Sequence, residues 1–269
     1  MKLEGKLAVV TGAGSGIGHA TATALARQGA RIAACDVDGR RLEALASELG
    51  DRLVLAKAFD VSDRAAYAAF ADAVHERGPA ADVIVNNAGV SIGGTFLDTT
   101  LDDWDWLLGV NLRGVVHGCH YFLPKMVARG AGGHVINIAS ILGIYPAPNV
   151  TAYVASKFAV LGMSQSLRVE MEPHRIGVTA ICPGMINTQI VADGRMTGVI
   201  GARKDKVVAS FKKGAPPSLV ADAIVEAIRT NPAVRTVGRD AWLMHQLTRM
   251  APSVTARLGS VVSRRLARH

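Results

Sequence analysis

The sequence is short of cysteine and lacks any long apolar run, and both features exclude classes of protein. Cys35, Cys119 and Cys182 are the three cysteines among 269 residues, and they lie far apart in apolar surroundings. This pattern is typical of small core residues in a reducing compartment, not of a disulfide framework. No run of about 18 apolar residues occurs, so we expect no transmembrane helix. The apolar run at residues 7–10 is too short for a signal-peptide core, and we expect a cytoplasmic location.

The net charge is +8, but the positive charge is not spread evenly over the chain. Residues 231–269 carry seven arginines against one acid, Asp240, so this tail holds +6 and the rest of the chain +2. Because the excess is confined to the tail, the sequence does not indicate a nucleic-acid-binding protein. The length fits one large α/β domain or two small ones, and a hydrophobic content of 49% is enough for a sizeable core.

Short apolar runs alternate with helical patterns along most of the chain. Strands are predicted at residues 6–10, 31–35, 52–58, 82–85, 133–139, 177–182 and 233–237. Helices are predicted at residues 17–28, 62–77, 104–128, 151–171 and 219–229. This alternation predicts a Rossmann-like, doubly wound parallel sheet of about seven strands with helices on both faces. Ligands of such sheets bind beyond the carboxyl ends of the strands.

A glycine-rich segment follows the first strand and opens the first helix. It contains Gly12, Gly14, Ser15, Gly16, Ile17 and Gly18. Glycines allow a backbone to approach a pyrophosphate, whose charge the N–H groups and dipole of the new helix stabilise. Asp36 ends the second strand, where a carboxylate can bind ribose hydroxyls and repel a 2′-phosphate. We therefore expect NAD as the cofactor, with NADP less favoured; the alternative role for Asp36 is a helix N-cap.

Tyr153 and Lys157 are four residues apart, so they share one face of the predicted helix. An ammonium beside a phenol lowers the tyrosine pKa from its reference of about 10, which suits proton transfer near neutral pH. Ser140 follows the predicted strand at residues 133–139, where its hydroxyl can hold a substrate oxygen. The alternative is a tyrosine that packs on a lysine stem, so the pair gains its meaning from the other motifs.

Together the motifs resemble those of the classical short-chain dehydrogenase/reductase family. Residues 11–18 match its cofactor glycine motif, and residues 86–89 match a motif that stabilises the central sheet. The resemblance covers roughly residues 3–230. It implies hydride transfer between a nicotinamide and a carbinol or carbonyl carbon. It also implies a catalytic tetrad of Asn111, Ser140, Tyr153 and Lys157.

The resemblance assigns roles to these four residues. Tyr153 would be the general acid/base, and Lys157 would lower its pKa and hold the nicotinamide ribose. Ser140 would hydrogen-bond the substrate oxygen, and Asn111 would distort the long helix and hold a water. Asp60 would meet the adenine amino group. The implied cofactor contacts beyond the glycine motif are Asp36, Asp60, Val61, Asn87, Ala88, Gly89, Tyr153, Lys157, Pro183, Gly184, Ile186 and Thr188.

The substrate site is less well defined by the sequence. Residues expected to line it are Ser91, Leu142, Tyr145, Met185 and Ile190, with ordinary loop packing as the alternative. Residues 185–217 form a long irregular segment typical of a lid. Its apolar side chains favour an apolar secondary alcohol or ketone, such as a steroid-like, acyl-chain or cyclic compound. Its lysines and arginines could steer an acidic or coenzyme-linked substrate, or simply form a solvated face.

We expect a catalytic domain at residues 1–239 and a basic amphipathic helical extension at residues 240–269. The extension could cover the pocket, pack on another subunit or lie on an acidic membrane surface. We favour packing within a homo-oligomer, a dimer or tetramer formed through the helices at residues 104–128 and 151–171.

Two further alternatives concern chemistry. The cluster of His117, Cys119 and His120 contains metal-ligand residue types, but its apolar surroundings favour core packing, and we expect no metal site. A non-catalytic dinucleotide-binding regulator of the same fold is the alternative to an alcohol dehydrogenase or carbonyl reductase. The intact Ser140, Tyr153 and Lys157 favour the enzyme.

Overall fold

The computed structural model describes residues 1–78 and 80–250 of the chain. In chain order, the strands within these residues are β1 Leu7–Thr11, β2 Arg31–Asp36, β3 Leu53–Ala58, β4 Val83–Asn86, β5 Ile92–Gly93, β6 Gly133–Ile138, β7 Ile176–Pro183, β8 Arg195–Met196 and β9 Val234–Val237. The helices there are α1 Gly16–Arg27, α2 Gly39–Leu49, α3 Arg64–His75, α4 Leu101–Leu108, α5 Gly114–Arg129, α6 Thr151–Met171, α7 Gly198–Gly201, α8 Lys204–Phe211, α9 Pro217–Thr230 and α10 Arg239–Met250.

Seven of the strands in the described part of the chain form one sheet in the order β3-β2-β1-β4-β6-β7-β9. Every neighbouring pair is parallel, which confirms the predicted doubly wound sheet. The strand order reverses between β1 and β4, because the chain first builds outward through β2 and β3 and then returns to the other side. A crevice opens at the carboxyl ends of strands at such a switch point.

Helices cover both faces of the sheet and form two separate core layers. Successive strand residues point to opposite faces, so Val10 and Val9 of β1 belong to different layers. Val10 packs in the layer that contains Leu25 of α1, whereas Val9 packs with Phe70 of α3 and Phe122 of α5. Strands β1, β4 and β7 are buried along their full length, as expected for a parallel sheet with two covered faces.

The lid, defined here as residues 185–217, is more regular than the sequence predicted. It contains the short strand β8 and the helices α7 and α8. Two backbone hydrogen bonds close its neck: Asn187 donates to Ala215 at 2.8 Å, and Ala215 donates to Met185 at 3.0 Å. Strand β8 pairs in parallel with β5, outside the main sheet. The prediction of an irregular segment was therefore wrong.

The predicted C-terminal extension is described as far as Met250 and begins with α10. The Asp240 carboxylate accepts the backbone N–H of Met185 at 3.0 Å, so α10 is attached to the base of the lid. The remaining part of the predicted extension, residues 251–269, lies outside the described residues. None of the described helices is both long and apolar enough to cross a membrane.

Asp82 joins three elements at the amino edge of the sheet. Its buried carboxylate accepts the backbone N–H of Leu7 at 2.9 Å. It also forms ion pairs with Lys6 at 3.2 Å and with Arg129, at the end of α5, at 2.9 Å. A buried carboxylate with this many donors holds the start of β4 against β1.

We expect Asp82→Ala to lower the free energy of unfolding by about 2–3 kcal/mol, because it leaves a buried backbone donor and a half-buried guanidinium without their acceptor. Urea denaturation followed by circular dichroism measures the change. Asp51→Ala is the matched control, since Asp51 is exposed and its loss should stay within about 0.5 kcal/mol. Equal destabilisation by the two variants would contradict this role for Asp82.

Candidate active site

The glycine loop lies close against the segment that follows β4. Gly12 has a φ of 63°, and a Cβ there would lie 2.8 Å from the Ala88 Cα. A Cβ on Gly18 would meet the Gly12 carbonyl oxygen. Gly16 has a φ of 52° and lies beside Thr188 of the lid, whose Cγ2 would be 3.2 Å from an added Cβ. Larger residues would therefore disturb the loop at each of these positions.

Hydrogen bonds fasten the loops that follow β1 and β4 to each other. The Thr11 hydroxyl accepts the backbone N–H groups of Asn87 and Ala88, both at 3.0 Å. The Asn87 side chain donates in turn to the carbonyls of Thr11 at 2.9 Å and Gly12 at 3.1 Å. The preceding residue, Asn86, donates to the Asn137 side chain at 2.8 Å and so links β4 to β6. These hydrogen bonds therefore fix the loops on both sides of the crevice at the switch point.

The N-terminus of α1 is suited to an anion. Ser15 occupies its N-cap position, and within residues 1–78 and 80–250 its side chain makes no capping hydrogen bond. The first N–H groups of α1 therefore face the crevice without a side-chain acceptor, and the helix dipole favours negative charge there. This open helix end, beside glycines that leave room for a close approach, fits the pyrophosphate of a dinucleotide.

Asp36 lies at the end of β2, next to the glycine loop. Its carboxylate is buried and accepts the backbone N–H groups of Gly14 at 2.8 Å and Asp38 at 3.0 Å. Asp38 is the N-cap of α2, because its side chain accepts from the backbone of Arg40 and Arg41. The alternative in which Asp36 caps a helix is therefore wrong. An acidic group at this position suits the hydroxyls of a ribose.

Other predicted cofactor residues lie at the carboxyl ends of β3 and β7. The Asp60 side chain follows β3 and accepts the backbone N–H of Ser62 at 2.8 Å, and Val61 is buried against α5. Pro183 ends β7, and Gly184 donates its N–H to Val237 at 2.8 Å. Ile186 is buried at the neck of the lid. These residues therefore surround the same edge of the sheet as the glycine loop.

Asn111 lies in a π-helical turn, Gly109–Arg113, that separates α4 from α5. The single helix predicted at residues 104–128 is thus interrupted, which agrees with the distortion that the family resemblance implies. The buried Asn111 side chain accepts the Val90 N–H at 2.8 Å and donates to the Val90 carbonyl at 3.0 Å. It also donates to the Ser156 hydroxyl of α6 at 3.1 Å. Asn111 therefore joins the segment after β4 to the helix that carries Tyr153.

Ser140, Tyr153 and Lys157 meet at the carboxyl end of β6. The Ser140 hydroxyl accepts the Leu142 N–H at 3.1 Å, and the Ser140 side chain lies beside the Tyr153 side chain. The Lys157 ammonium donates to the Ile138 carbonyl at 2.9 Å and lies 5.6 Å from the centre of the Tyr153 ring. A Cβ on Gly89 would lie 3.4 Å from the Asn111 Oδ1 and 3.6 Å from the Lys157 Nζ. The predicted tetrad is therefore one cluster.

The prediction that the pKa of Tyr153, beside Lys157, lies below its reference of about 10 is wrong in this structure. Burial raises the pKa of Tyr153 to about 12, and the hydrogen bond with Ser140 opposes the shift without cancelling it. Burial also lowers the pKa of Lys157 to about 8. The physical reason is that loss of solvent destabilises the charged forms of both side chains.

The residues predicted to line the substrate site lie around this cluster. Leu142 and Tyr145 follow Ser140 in and after a short 3-10 turn. Ser91 and Ile190 contribute to the junction with the lid, because the Ser91 hydroxyl donates to the Ile190 carbonyl at 2.7 Å. Met185 lies at the neck of the lid and is half-exposed. Leu142 and Tyr145 therefore lie next to Ser140, and Ser91, Ile190 and Met185 lie at the junction with the lid; their contact with a substrate stays a prediction.

Sequence reasoning missed the contact that holds the lid to α4. Arg195 of β8 donates to the buried Asp103 carboxylate at 2.9 Å, and its guanidinium lies 3.9 Å from the centre of the Trp106 ring. This hydrogen bond holds the pKa of Asp103 below its usual range. Arg195 had been grouped with the basic side chains of the lid that could steer an acidic substrate. Its charge is instead satisfied within the protein.

His117 and Cys119 of α5 pack against neighbouring elements, whereas His120, the third member of the predicted cluster, is exposed. The His117 ring nitrogen lies 2.9 Å from the Val61 carbonyl oxygen, and the ring packs edge-on against Tyr67. Cys119 is buried and accepts a hydrogen bond from the Asn86 side chain at 3.6 Å. Within the described residues, no group of three histidines, cysteines or acids is arranged to hold a metal ion.

The burial of Lys157 predicts a specific pH dependence of stability. Its folded-state pKa of about 8 lies below the unfolded value near 10.4, so between these values the unfolded chain binds the proton more tightly. Raising the pH from 7 to 10 should therefore raise the unfolding free energy of the wild type relative to Lys157→Met by about 2 kcal/mol. Chemical denaturation of both proteins across this range measures the difference. A difference that does not change with pH would contradict the predicted burial penalty.

Comparison with known proteins agrees with the geometry of the site. The family model described as short chain dehydrogenase matches residues 6–197. "Probable oxidoreductase EphD" of Mycobacterium tuberculosis is 40% identical over 264 residues, which are 94% of this chain and 45% of that protein. The chain thus spans about half the length of this relative. D-threitol dehydrogenase of Mycolicibacterium smegmatis is 36% identical over 83% of this chain and 86% of its own length.

Solved structures give the same result. A short chain dehydrogenase/reductase from Burkholderia phymatum, in complex with NAD, has a TM-score of 0.88 and 28% identity, covering 94% of this chain and 96% of that one. A short chain dehydrogenase from Mycobacterium paratuberculosis, bound to NAD, has a TM-score of 0.77 and 26% identity over 88% of this chain and 97% of that one. The chain described here belongs to the short-chain dehydrogenase/reductase family of NAD(P)-dependent oxidoreductases.

Proposed function

We propose that this protein interconverts a secondary alcohol and the corresponding ketone, with NAD(H) as the cofactor and Tyr153 as the general acid/base. The observation that carries the proposal is the arrangement of the Ser140 and Tyr153 side chains, which lie beside each other and beside Lys157. This pair lies at the carboxyl edge of the parallel sheet, next to the crevice between β1 and β4. A substrate oxygen that meets both hydroxyls would be oriented for proton transfer.

The described residues supply a dinucleotide site that fits the family. The glycine loop and the open N-terminus of α1 would hold the pyrophosphate, and Asp36 would hold the adenosine ribose. Lys157 and the segment at residues 87–89 border the catalytic end of the same crevice. Asp36 favours NAD over NADP, since its charge would repel a 2′-phosphate. The two similar structures that were solved with NAD support the same choice.

When bound, the nicotinamide supplies or accepts the hydride. Tyr153 keeps its proton at neutral pH, because burial raises the pKa of its phenol to about 12. It is thus prepared to donate that proton to the substrate oxygen during ketone reduction, and its phenolate would accept a proton during alcohol oxidation. Ser140 would donate a hydrogen bond to the same oxygen and stabilise its developing negative charge.

Lys157 would act on Tyr153 through charge and position. At pH 7 its ammonium is mostly protonated, since its pKa is about 8. A cation 5.6 Å from the centre of the phenol ring would stabilise negative charge that develops on the phenol oxygen. Asn111 would position both residues, because it bridges Val90 and Ser156 on α6.

The substrate we propose is an apolar alcohol or ketone. Support comes from the lid, where Ile186 and Val191 are buried, and from Leu142 and Tyr145 beside Ser140. The fold does not select one compound, since related proteins of this family include one named for D-threitol. We also propose a homo-oligomer that forms through α5 and α6, whose Val116, Phe158 and Val169 expose apolar surface.

We expect Tyr153→Phe to leave the NADH dissociation constant within about twofold of the wild-type value and to lower kcat by about 10²- to 10⁴-fold, because it removes the phenol hydroxyl that carries the transferable proton. The assay follows NADH absorbance across a panel of apolar secondary alcohols and ketones, and fluorescence titration measures NADH binding. Tyr121→Phe is the matched control and should retain most of the turnover, because Tyr121 lies on α5 and its hydroxyl donates to the Arg64 carbonyl at the start of α3 at 3.3 Å.

Wild-type turnover by Tyr153→Phe would overturn the acid/base assignment. Tight NADH binding by the wild type without turnover of any panel member, in either direction, would favour the non-catalytic dinucleotide-binding alternative instead.

A further inference from the structure

An ion pair connects the lid to the nucleotide end of the crevice. Arg41, in the first turn of α2, places two guanidinium nitrogens 3.3 Å from the Asp193 carboxylate of the lid. Its Nε lies 3.4 Å from the Asp38 carboxylate. Two acids thus surround one guanidinium, and the second of them is supplied by a segment 152 residues further along the chain.

Arg41 borders the group that would bind the adenosine ribose. A Cβ on Gly14 would lie 2.7 Å from the Arg41 Cβ and 2.9 Å from the Asp36 Cγ. The stem of Arg41 and the Asp36 carboxylate are therefore neighbours, both on the side of Gly14 to which a side chain would project. Any phosphate placed beside the Asp36 end of β2 would lie near this guanidinium.

A guanidinium in that position has two possible effects on cofactor choice. An arginine with free donors binds phosphate strongly, often through two parallel hydrogen bonds. It would attract a 2′-phosphate and so oppose the repulsion from Asp36. A guanidinium that already donates to carboxylates offers less charge and fewer donors. The acids that pair with Arg41 therefore decide which of the two effects on cofactor choice prevails. Asp193 accepts from two guanidinium nitrogens of Arg41.

We propose that Asp193 is a determinant of cofactor specificity: it occupies the guanidinium of Arg41, so that a 2′-phosphate finds no free arginine beside Asp36. The lid, which borders the substrate site, thereby contributes to the preference for NAD at the far end of the crevice. This inference rests on the proposed function, since it requires that the nucleotide lies along the glycine loop.

The chain provides matched controls for both partners. Arg40 is the neighbour of Arg41, but its side chain is 91% exposed, and its Nε lies 3.9 Å from Asp38. Asp205 is an exposed acid of α8, also in the lid, so Asp205→Asn changes the charge of the lid by the same amount. Arg41 and Asp193 are partly exposed themselves, with side-chain exposures of 38% and 54%, so their replacement should not unfold the protein.

The experiment measures the dissociation constants of NADH and NADPH by fluorescence titration, without substrate, for the wild type and five variants. The variants are Asp193→Asn, Arg41→Gln, Asp193→Asn with Arg41→Gln, Arg40→Gln and Asp205→Asn. Because an exposed ion pair is worth up to about 1 kcal/mol, we expect Asp193→Asn to tighten NADPH binding about fivefold. NADH binding should change by less than about twofold.

The double variant should lose this gain, because the free guanidinium is what binds the phosphate. Arg40→Gln and Asp205→Asn should leave the ratio of the two constants near its wild-type value. The inference is overturned if Asp193→Asn leaves the ratio unchanged, if the double variant keeps the gain, or if Asp205→Asn produces an equal gain. A wild type that binds neither nucleotide would instead overturn the proposed function, so the two failures are distinguishable.

Discussion

The hydrogen bonds between Thr11 and residues 87–88 are the constraint on which the rest of the site depends. They join the loops that follow β1 and β4, the two neighbouring central strands between which the strand order reverses. The Asn87 side chain also donates to the carbonyls of Thr11 and Gly12. These hydrogen bonds fix the position of the glycine loop relative to the end of β4. The glycines are needed there since the two backbones approach too closely for a side chain.

The cluster of Asn111, Ser140, Tyr153 and Lys157 lies beside that crevice, and burial determines its electrostatics. Gly89 lies against both Asn111 and Lys157, so the loop after β4 connects the proposed nucleotide end to the proposed proton-transfer end. Loss of solvent raises the pKa of Tyr153 to about 12 and lowers that of Lys157 to about 8. Both shifts have the same origin, and they favour a neutral tyrosine that can donate its proton.

Much of this site could be predicted from residue order because its chemistry is local. The glycine loop, Asp36 and the i, i+4 spacing of Tyr153 and Lys157 are each contained in one element or one turn. The direction of the Tyr153 shift was predicted incorrectly. Sequence spacing indicated that an ammonium is near the phenol, but it does not report how completely water is removed or that the Ile138 carbonyl accepts from Lys157.

The alternation of apolar runs and helical patterns was sufficient to predict the parallel sheet and the strand ends that carry the site, whereas the tetrad was implied by the resemblance to a known family. The arrangement of the lid was decided only by the tertiary structure. Arg195 meets Asp103, and Arg41 meets Asp193, across 92 and 152 residues of intervening chain. Such charge pairs have no periodicity or motif, because each forms only after separate elements have packed. The residues that hold the lid therefore became visible only in the folded protein.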